Sequence, residues 1–123
     1  MPKVLLVEDD AAVQRVLERT LQKLGHEVTL AVNGAKALEL LDTQSFDLMI
    51  TDLIMPEMEG LQLLRELRKK PARPTVIAMS GGGRGSATDY LEIAKTFGAT
   101  VTLPKPFSQE QLTAAIDRAL TTA

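Results

Sequence analysis

The sequence predicts a doubly wound α/β fold, (βα)5, with a central five-stranded parallel sheet. Three observations carry that expectation. Short apolar runs alternate with segments of helical period along the whole chain. The apolar runs are mostly continuous rather than alternating, as strands covered on both faces by helices should be. Two of the runs end in carboxylates, where a doubly wound sheet gathers its functional groups outside the carboxyl ends of its strands.

The strand candidates are 3–8, 27–31, 47–52, 75–79 and 100–103. Before the first helix, Asp10 or a neighbour can act as cap. Val13, Val16, Leu17, Leu21 and Leu24 then fall at i, i+3, i+4, i+8 and i+11, an expected apolar stripe. Gly25 stands where a helix commonly ends. Asn33 precedes the second helix, in which Ala37, Leu38 and Leu41 face one way, and Leu61, Leu64 and Leu67 mark the third. Ser86 and Asp89 read as a capping box for a fourth helix carrying Leu91, Ala94 and Phe97. Ser108 and Gln111 read the same way for a fifth, with Leu112, Ala115, Ile116 and Ala119. Parallel strands joined by helices take right-handed crossovers, so the helices cover both faces of the sheet.

Bulk properties narrow the classes. The 123 residues are one domain of ordinary size, 1–123, with no output domain expected in this chain. A composition 45% hydrophobic and 24% charged suffices for one sizeable core. The formal charge is -2, and no basic stripe of useful length occurs, so no nucleic-acid partner is expected. There is no cysteine, which excludes disulfides, thiolate catalysis and cysteine-ligated metals. No transmembrane-length run or signal-peptide plan is present, so a cytoplasmic location without membrane contact is expected.

The chemistry gathers at strand ends. Glu8, Asp9 and Asp10 close the run Val4-Leu5-Leu6-Val7, and Asp52 closes Leu48-Met49-Ile50-Thr51. An acid where a buried strand runs out into a loop contributes little to packing. The fold places Glu8, Asp9, Asp52, Ser80 and Lys105 on one rim, because each follows an apolar strand. Asp9 and Asp52 can share a hard divalent cation, Mg²⁺ with Mn²⁺ as a substitute, since carboxylate oxygens and water suit both. Lys105 adds a compact positive charge and Ser80 a hydroxyl. Together these groups fit the task of holding a phosphoryl group on Asp52, whose carboxylate can act as nucleophile. Asp10 reads chiefly as a helix cap. His26, the only histidine, reads as a surface residue with no catalytic role, and Arg84 as a solvated loop residue.

Four motifs together carry a resemblance: Leu6-Val7-Glu8-Asp9-Asp10, the segment from Asp52 through Met55-Pro56 to Gly60, Ser80-Gly81, and Lys105-Pro106-Phe107. In this order, on these elements and over the full length, the chain resembles the receiver domain of bacterial response regulators. The resemblance implies a flavodoxin-like strand order 2-1-3-4-5. It implies a switch that accepts a phosphoryl group on Asp52 from a phosphohistidine of a sensor histidine kinase or phosphotransfer protein and signals to a downstream effector protein. It further implies Mg²⁺ bound by Asp9, Asp52 and the backbone carbonyl of Ile54, with Glu8 acting through a metal-bound water. Lys105 and Ser80 would contact the phosphoryl oxygens. The bond between Lys105 and Pro106 would be cis. The kinase would meet Gln14, Arg15, Glu18, Phe107 and Ser108, and the chain would be a monomer or a weak dimer through the fourth and fifth helices. Such a protein promotes its own phosphorylation and dephosphorylation but is not a turnover enzyme.

The chain departs from the family pattern at three places. Glu8 replaces a frequent aspartate, Ser80 a frequent threonine, and Thr102 a frequent aromatic residue three positions before the lysine. The run Gly81-Gly82-Gly83-Arg84-Gly85 also makes the loop after the fourth strand glycine-rich, and that loop is expected to carry much of the activation change. Ile54 lies two residues after the acceptor, where a branched apolar side chain should hinder attacking water. It also argues against an aspartyl-phosphate phosphatase, which needs a proton donor there. The glycine run meets neither dinucleotide nor P-loop spacing. A receiver that binds partners without phosphorylation is the remaining alternative.

Overall fold

The computed structural model describes residues 2–53, 60–70, 73–80, 95, 96, 98–105 and 107–122, without the side chains of residues 60, 61, 80 and 122. Five parallel strands form one sheet: β1 (Lys3–Val7), β2 (Glu27–Ala31), β3 (Leu48–Asp52), β4 (Thr75–Ser80) and β5 (Val101–Pro104). Their order is β2-β1-β3-β4-β5, as expected. The helices are α1 (Ala11–Lys23), α2 (Gly34–Thr43), α3 (Gly60–Leu67) and α4 (Gln109–Thr122). The last of these is the fifth helix of the sequence reading. The expected fourth helix lies outside the described residues except for Lys95 and Thr96, as do Arg84 and the glycine run at 81–85.

The continuous apolar strands make sense once the two faces are separated. Side chains alternate across a strand. Val4, Leu6, Leu48, Ile50, Ile77, Met79, Val101 and Leu103 therefore face one core, closed by Leu17 and Leu21 of α1 and by Leu112, Ala115, Ile116 and Ala119 of α4. Leu5, Val7, Ala31, Met49, Val76 and Ala78 face the other, closed by Ala37 of α2 and Leu63, Leu64 and Leu67 of α3. Both faces of the central strands β1 and β3 need apolar residues, so little polar alternation survives in them.

Helix ends follow their local chemistry. The Asp10 carboxylate accepts from Ala12 N at 2.8 Å and Val13 N at 3.2 Å, satisfying two orphan amides of α1. Asn33 caps α2 through Lys36 N at 2.8 Å. The capping box of α4 forms in both directions: Gln111 N donates to Ser108 Oγ at 3.0 Å, and Ser108 N donates to Gln111 Oε1 at 2.8 Å. Gly25 follows α1 at φ +89°, a conformation that favours glycine.

The expected stripe of α1 needs correction. Val16 and Leu24 are 64% and 42% exposed, whereas Leu17, Thr20 and Leu21 are buried. The helix turns its 17–20–21 face to the sheet, and Thr20 tolerates burial because its hydroxyl donates to Val16 O at 3.1 Å. In α3, Leu63 joins Leu64 and Leu67 in the core, a residue the sequence reading did not include. His26 is half-buried rather than on the surface, and its Nδ1 is enclosed without a hydrogen-bond partner among the described residues. It precedes β2, at the opposite end of the sheet from the carboxylates.

Candidate functional site

The sheet reverses direction of growth between β1 and β3: from β1 the chain builds outward to β2, then returns to place β3 on the other side. A crevice opens at such a switch point, beyond the carboxyl ends of the two strands. Glu8 follows β1 there, and its amide extends the pairing to β2 by donating to Ala31 O at 3.0 Å. Asp52 is the last residue of β3. Lys105 follows β5 and reaches past the end of β4 to both of them.

These groups form a tight charged cluster. Lys105 Nζ lies 2.8 Å from Asp52 Oδ2 and 3.1 Å from Glu8 Oε1. The other Glu8 oxygen accepts from the amides of Asp9 at 3.0 Å and Asp10 at 3.4 Å. Glu8 and Asp52 are buried, at 1% and 7% exposure, while Asp9 is exposed. Carboxylate oxygens of Glu8, Asp9 and Asp52 all lie within 4.8 Å of one another. Burial pushes the Glu8 carboxyl above its ordinary range; the Lys105 ammonium pulls against this, and the Asp52 charge adds to the rise. Burial likewise opposes the charge on Lys105. The hydrogen bond and charge of Asp52, with those of Glu8, outweigh it and hold the ammonium above its ordinary 10.5.

The fit to a hard divalent cation is good. Three carboxylates face one ammonium, so the cluster keeps an excess of negative charge that a cation would relieve. Every donor is an oxygen, as Mg²⁺ requires, and the exposed Asp9 leaves an approach from solvent.

The structure thus brings together Glu8, Asp9, Asp52 and Lys105, as expected from the sequence. The backbone of Ser80 ends β4 opposite Pro104, one residue from Lys105, which places it on the same rim; its side chain is outside the described residues. Ile54 and Pro106 also lie outside them, and with Pro106 the expected cis bond. Thr102 is half-buried in β5. Phe107 packs against the core beneath α1 and α4. Gln14, expected on a partner-facing surface, instead turns its amide inward in a close hydrogen bond to the Glu8 carbonyl. Nothing in the sequence marks that contact, which spans six residues across a turn. Thr51 is a second polar residue the sequence reading passed over; its signal is a lone hydroxyl inside an apolar run.

The family described as response regulator receiver domain matches residues 4–117. The chain belongs to this family. The transcriptional regulatory protein CpxR of Klebsiella pneumoniae is 38% identical over 116 residues, covering 94% of this receiver and 48% of CpxR. The transcriptional activator protein PfeR of Pseudomonas aeruginosa is 34% identical over 119 residues, covering 97% of the receiver and 38% of PfeR. The receiver therefore spans about half, or less, of the curated relatives it matches. Among solved structures, a response regulator receiver domain protein from Clostridium thermocellum superposes with a TM-score of 0.89 at 29% identity, over 99% of this chain and 96% of that one. The receiver domain of the sensor histidine kinase PA1611 from Pseudomonas aeruginosa has a magnesium ion coordinated in its active site cleft. It superposes with a TM-score of 0.86 at 29% identity, over 98% of each chain. Among the described residues of this receiver, no helix is long and apolar enough to cross a membrane.

Proposed function

We propose that this receiver is a phosphorylation-activated switch whose acceptor is Asp52, phosphorylated from a phosphohistidine of a sensor kinase or phosphotransfer protein. One observation supports this most directly. A nearly buried carboxylate at the switch point faces an ammonium at 2.8 Å and shares its surroundings with two further acids. An Asp52 oxygen attacks phosphorus as the bond from phosphorus to the imidazole nitrogen breaks, and the departing imidazole takes a proton from water. The nucleophile enters this reaction as an ion pair with Lys105. Lys105 then stays beside the transferred group and balances its charge.

Asp9 and Asp52 would hold Mg²⁺, with the carbonyl of Ile54, and Glu8 would act through a bound water. Bound there, the ion supplies charge neutralisation for the phosphoryl oxygens. The magnesium in the PA1611 cleft supports this assignment by likeness. Ser80 would donate to a phosphoryl oxygen, and Ile54 would slow hydrolysis by hindering water. The added charge of about -1.5 to -2 would shift the population between two arrangements of the rim, read by an effector protein. The reaction leaves the chain modified, so the protein is a switch rather than a turnover enzyme.

Acetyl phosphate with Mg²⁺, followed by intact mass, tests the proposal. A single gain of about 80 Da, absent in Asp52→Asn and abolished by chelation, is the expected result. No gain under any condition would instead favour a receiver that binds partners without phosphorylation. Replacing Ile54 with Asn should shorten the lifetime of the phosphorylated form, and an unchanged lifetime would remove Ile54 from this role.

A further inference from the structure

Thr51 is a buried polar residue to which the proposed phosphoryl chemistry assigns no role. It precedes Asp52 in β3 and is fully enclosed, at 0% exposure. Its register partners, Val7 on β1 and Ala78 on β4, both belong to the core beneath α2 and α3. Alternation along the strand turns its side chain toward that apolar face, away from the side to which Asp52 points. Valine has the same shape and would bury no hydroxyl there. A hydroxyl enclosed by apolar side chains needs a partner to offset its lost hydration.

That partner is the backbone of the acceptor itself. Thr51 Oγ1 donates to the carbonyl oxygen of Asp52 at 3.0 Å. The same peptide unit is held at its other end, because Leu53 N donates to Met79 O at 2.9 Å. Its N–H is thus tied to β4 and its C=O to the Thr51 hydroxyl. This peptide joins the Cα of Asp52 to that of Leu53. Its plane constrains the backbone that carries the Asp52 side chain.

We propose that Thr51 is a positioning residue for phosphoryl transfer, its hydroxyl fixing the peptide that carries the acceptor. The inference rests on the proposed role of Asp52 and extends it to a group that touches neither phosphoryl group nor cation. A reacting carboxylate held near its attack geometry loses rate when its support loosens.

Two substitutions separate positioning from packing, because they rank oppositely. Thr51→Val keeps the shape and removes the hydroxyl. Thr51→Ser keeps the hydroxyl and removes a methyl. The measurements are the rate constant for phosphorylation by acetyl phosphate at saturating Mg²⁺, the Mg²⁺ dissociation constant by calorimetry, the ¹³C shift of the Asp52 carbonyl, and the thermal midpoint. Thr51→Val should lower the rate constant about fivefold, weaken Mg²⁺ binding and move the Asp52 carbonyl resonance, because the carbonyl loses its hydroxyl donor while the side-chain shape is kept. Thr51→Ser should lower the midpoint yet keep rate and affinity within about twofold of the parent. Should Thr51→Val fail to fold, Thr51→Ala against Thr51→Ser makes the same comparison with the methyl absent from both. Equal rate and Mg²⁺ affinity in the parent and Thr51→Val would overturn the inference, and so would a serine variant slower than the valine one. If the parent chain takes no phosphoryl group at all, the proposed function fails, and the Mg²⁺ affinities alone decide the role of Thr51.

Discussion

Glu8 shows how much a single buried charge can govern. Its carboxyl is raised above the ordinary 4.5, chiefly by burial, in spite of the Lys105 ion pair. For such a group the stabilising protonated form is fully available below 4.5, and its contribution is lost as pH rises through the raised folded value. At neutral pH the ionised Glu8 therefore holds the metal-free protein below its potential stability. Urea unfolding should show Glu8→Gln more stable than the parent at about pH 7, with the advantage shrinking toward about pH 4.5. Added Mg²⁺ should narrow the gap, because the ionised parent binds the cation more tightly than the Gln variant, which keeps Asp9 and Asp52. Lys105 has the same sign: its contribution is complete below 10.5 and is lost as pH rises through its raised value. Removing it leaves two buried acids without their cation. Lys105→Ala should lose roughly 2 kcal/mol in the metal-free state, less than the cost of breaking a fully buried pair because the lysine is partly exposed. The same change should tighten Mg²⁺ binding, measured by calorimetry, since the lysine no longer competes for Glu8 and Asp52.

At the scale of elements, the helix caps separate stability from the site. Asp10 adjoins the metal-binding acids in sequence, yet its carboxylate is committed to two amides of α1. Asp10→Ala should cost about 1 kcal/mol in chemical denaturation and leave Mg²⁺ affinity unchanged. A fall in that affinity would make Asp10 a ligand. Caps and strands were legible in the sequence because their signals are local. Ser108 and Gln111 needed only a spacing of three, and the acids at the ends of β1 and β3 needed only the end of an apolar run. The orientation of α1 was not local. Val16 and Leu17 are both compatible with a helical stripe, and only the sheet beneath decided that Leu17 and Thr20 are covered while Val16 is not.

For the whole molecule, one sheet carries two cores, so the faces stand or fall together. Leu63→Ala, under α3, and Ile116→Ala, under α4, should each cost about 2–5 kcal/mol. Their effects should add in the double variant, because the sheet separates the two sites. A single coincident transition by fluorescence-independent probes such as far-UV circular dichroism and calorimetry would verify that both cores unfold in one step.

The sequence by itself determined the alternation of strands and helices, the family, and the identity of the acids and lysine at the rim. Each of these depends on residue type and short spacing, which a linear chain displays directly. The tertiary structure decided what those residues do to one another. Lys105 lies 97 positions from Glu8 and 53 from Asp52, and only the assembled sheet lets one ammonium bridge both. The inward turn of Gln14 to Glu8 and the hydroxyl of Thr51 on the Asp52 carbonyl also depend on exact backbone direction, which side-chain type does not encode. A continuous apolar run tells that a strand is buried; it does not tell which buried group has found a partner, because partners are chosen by distance in space.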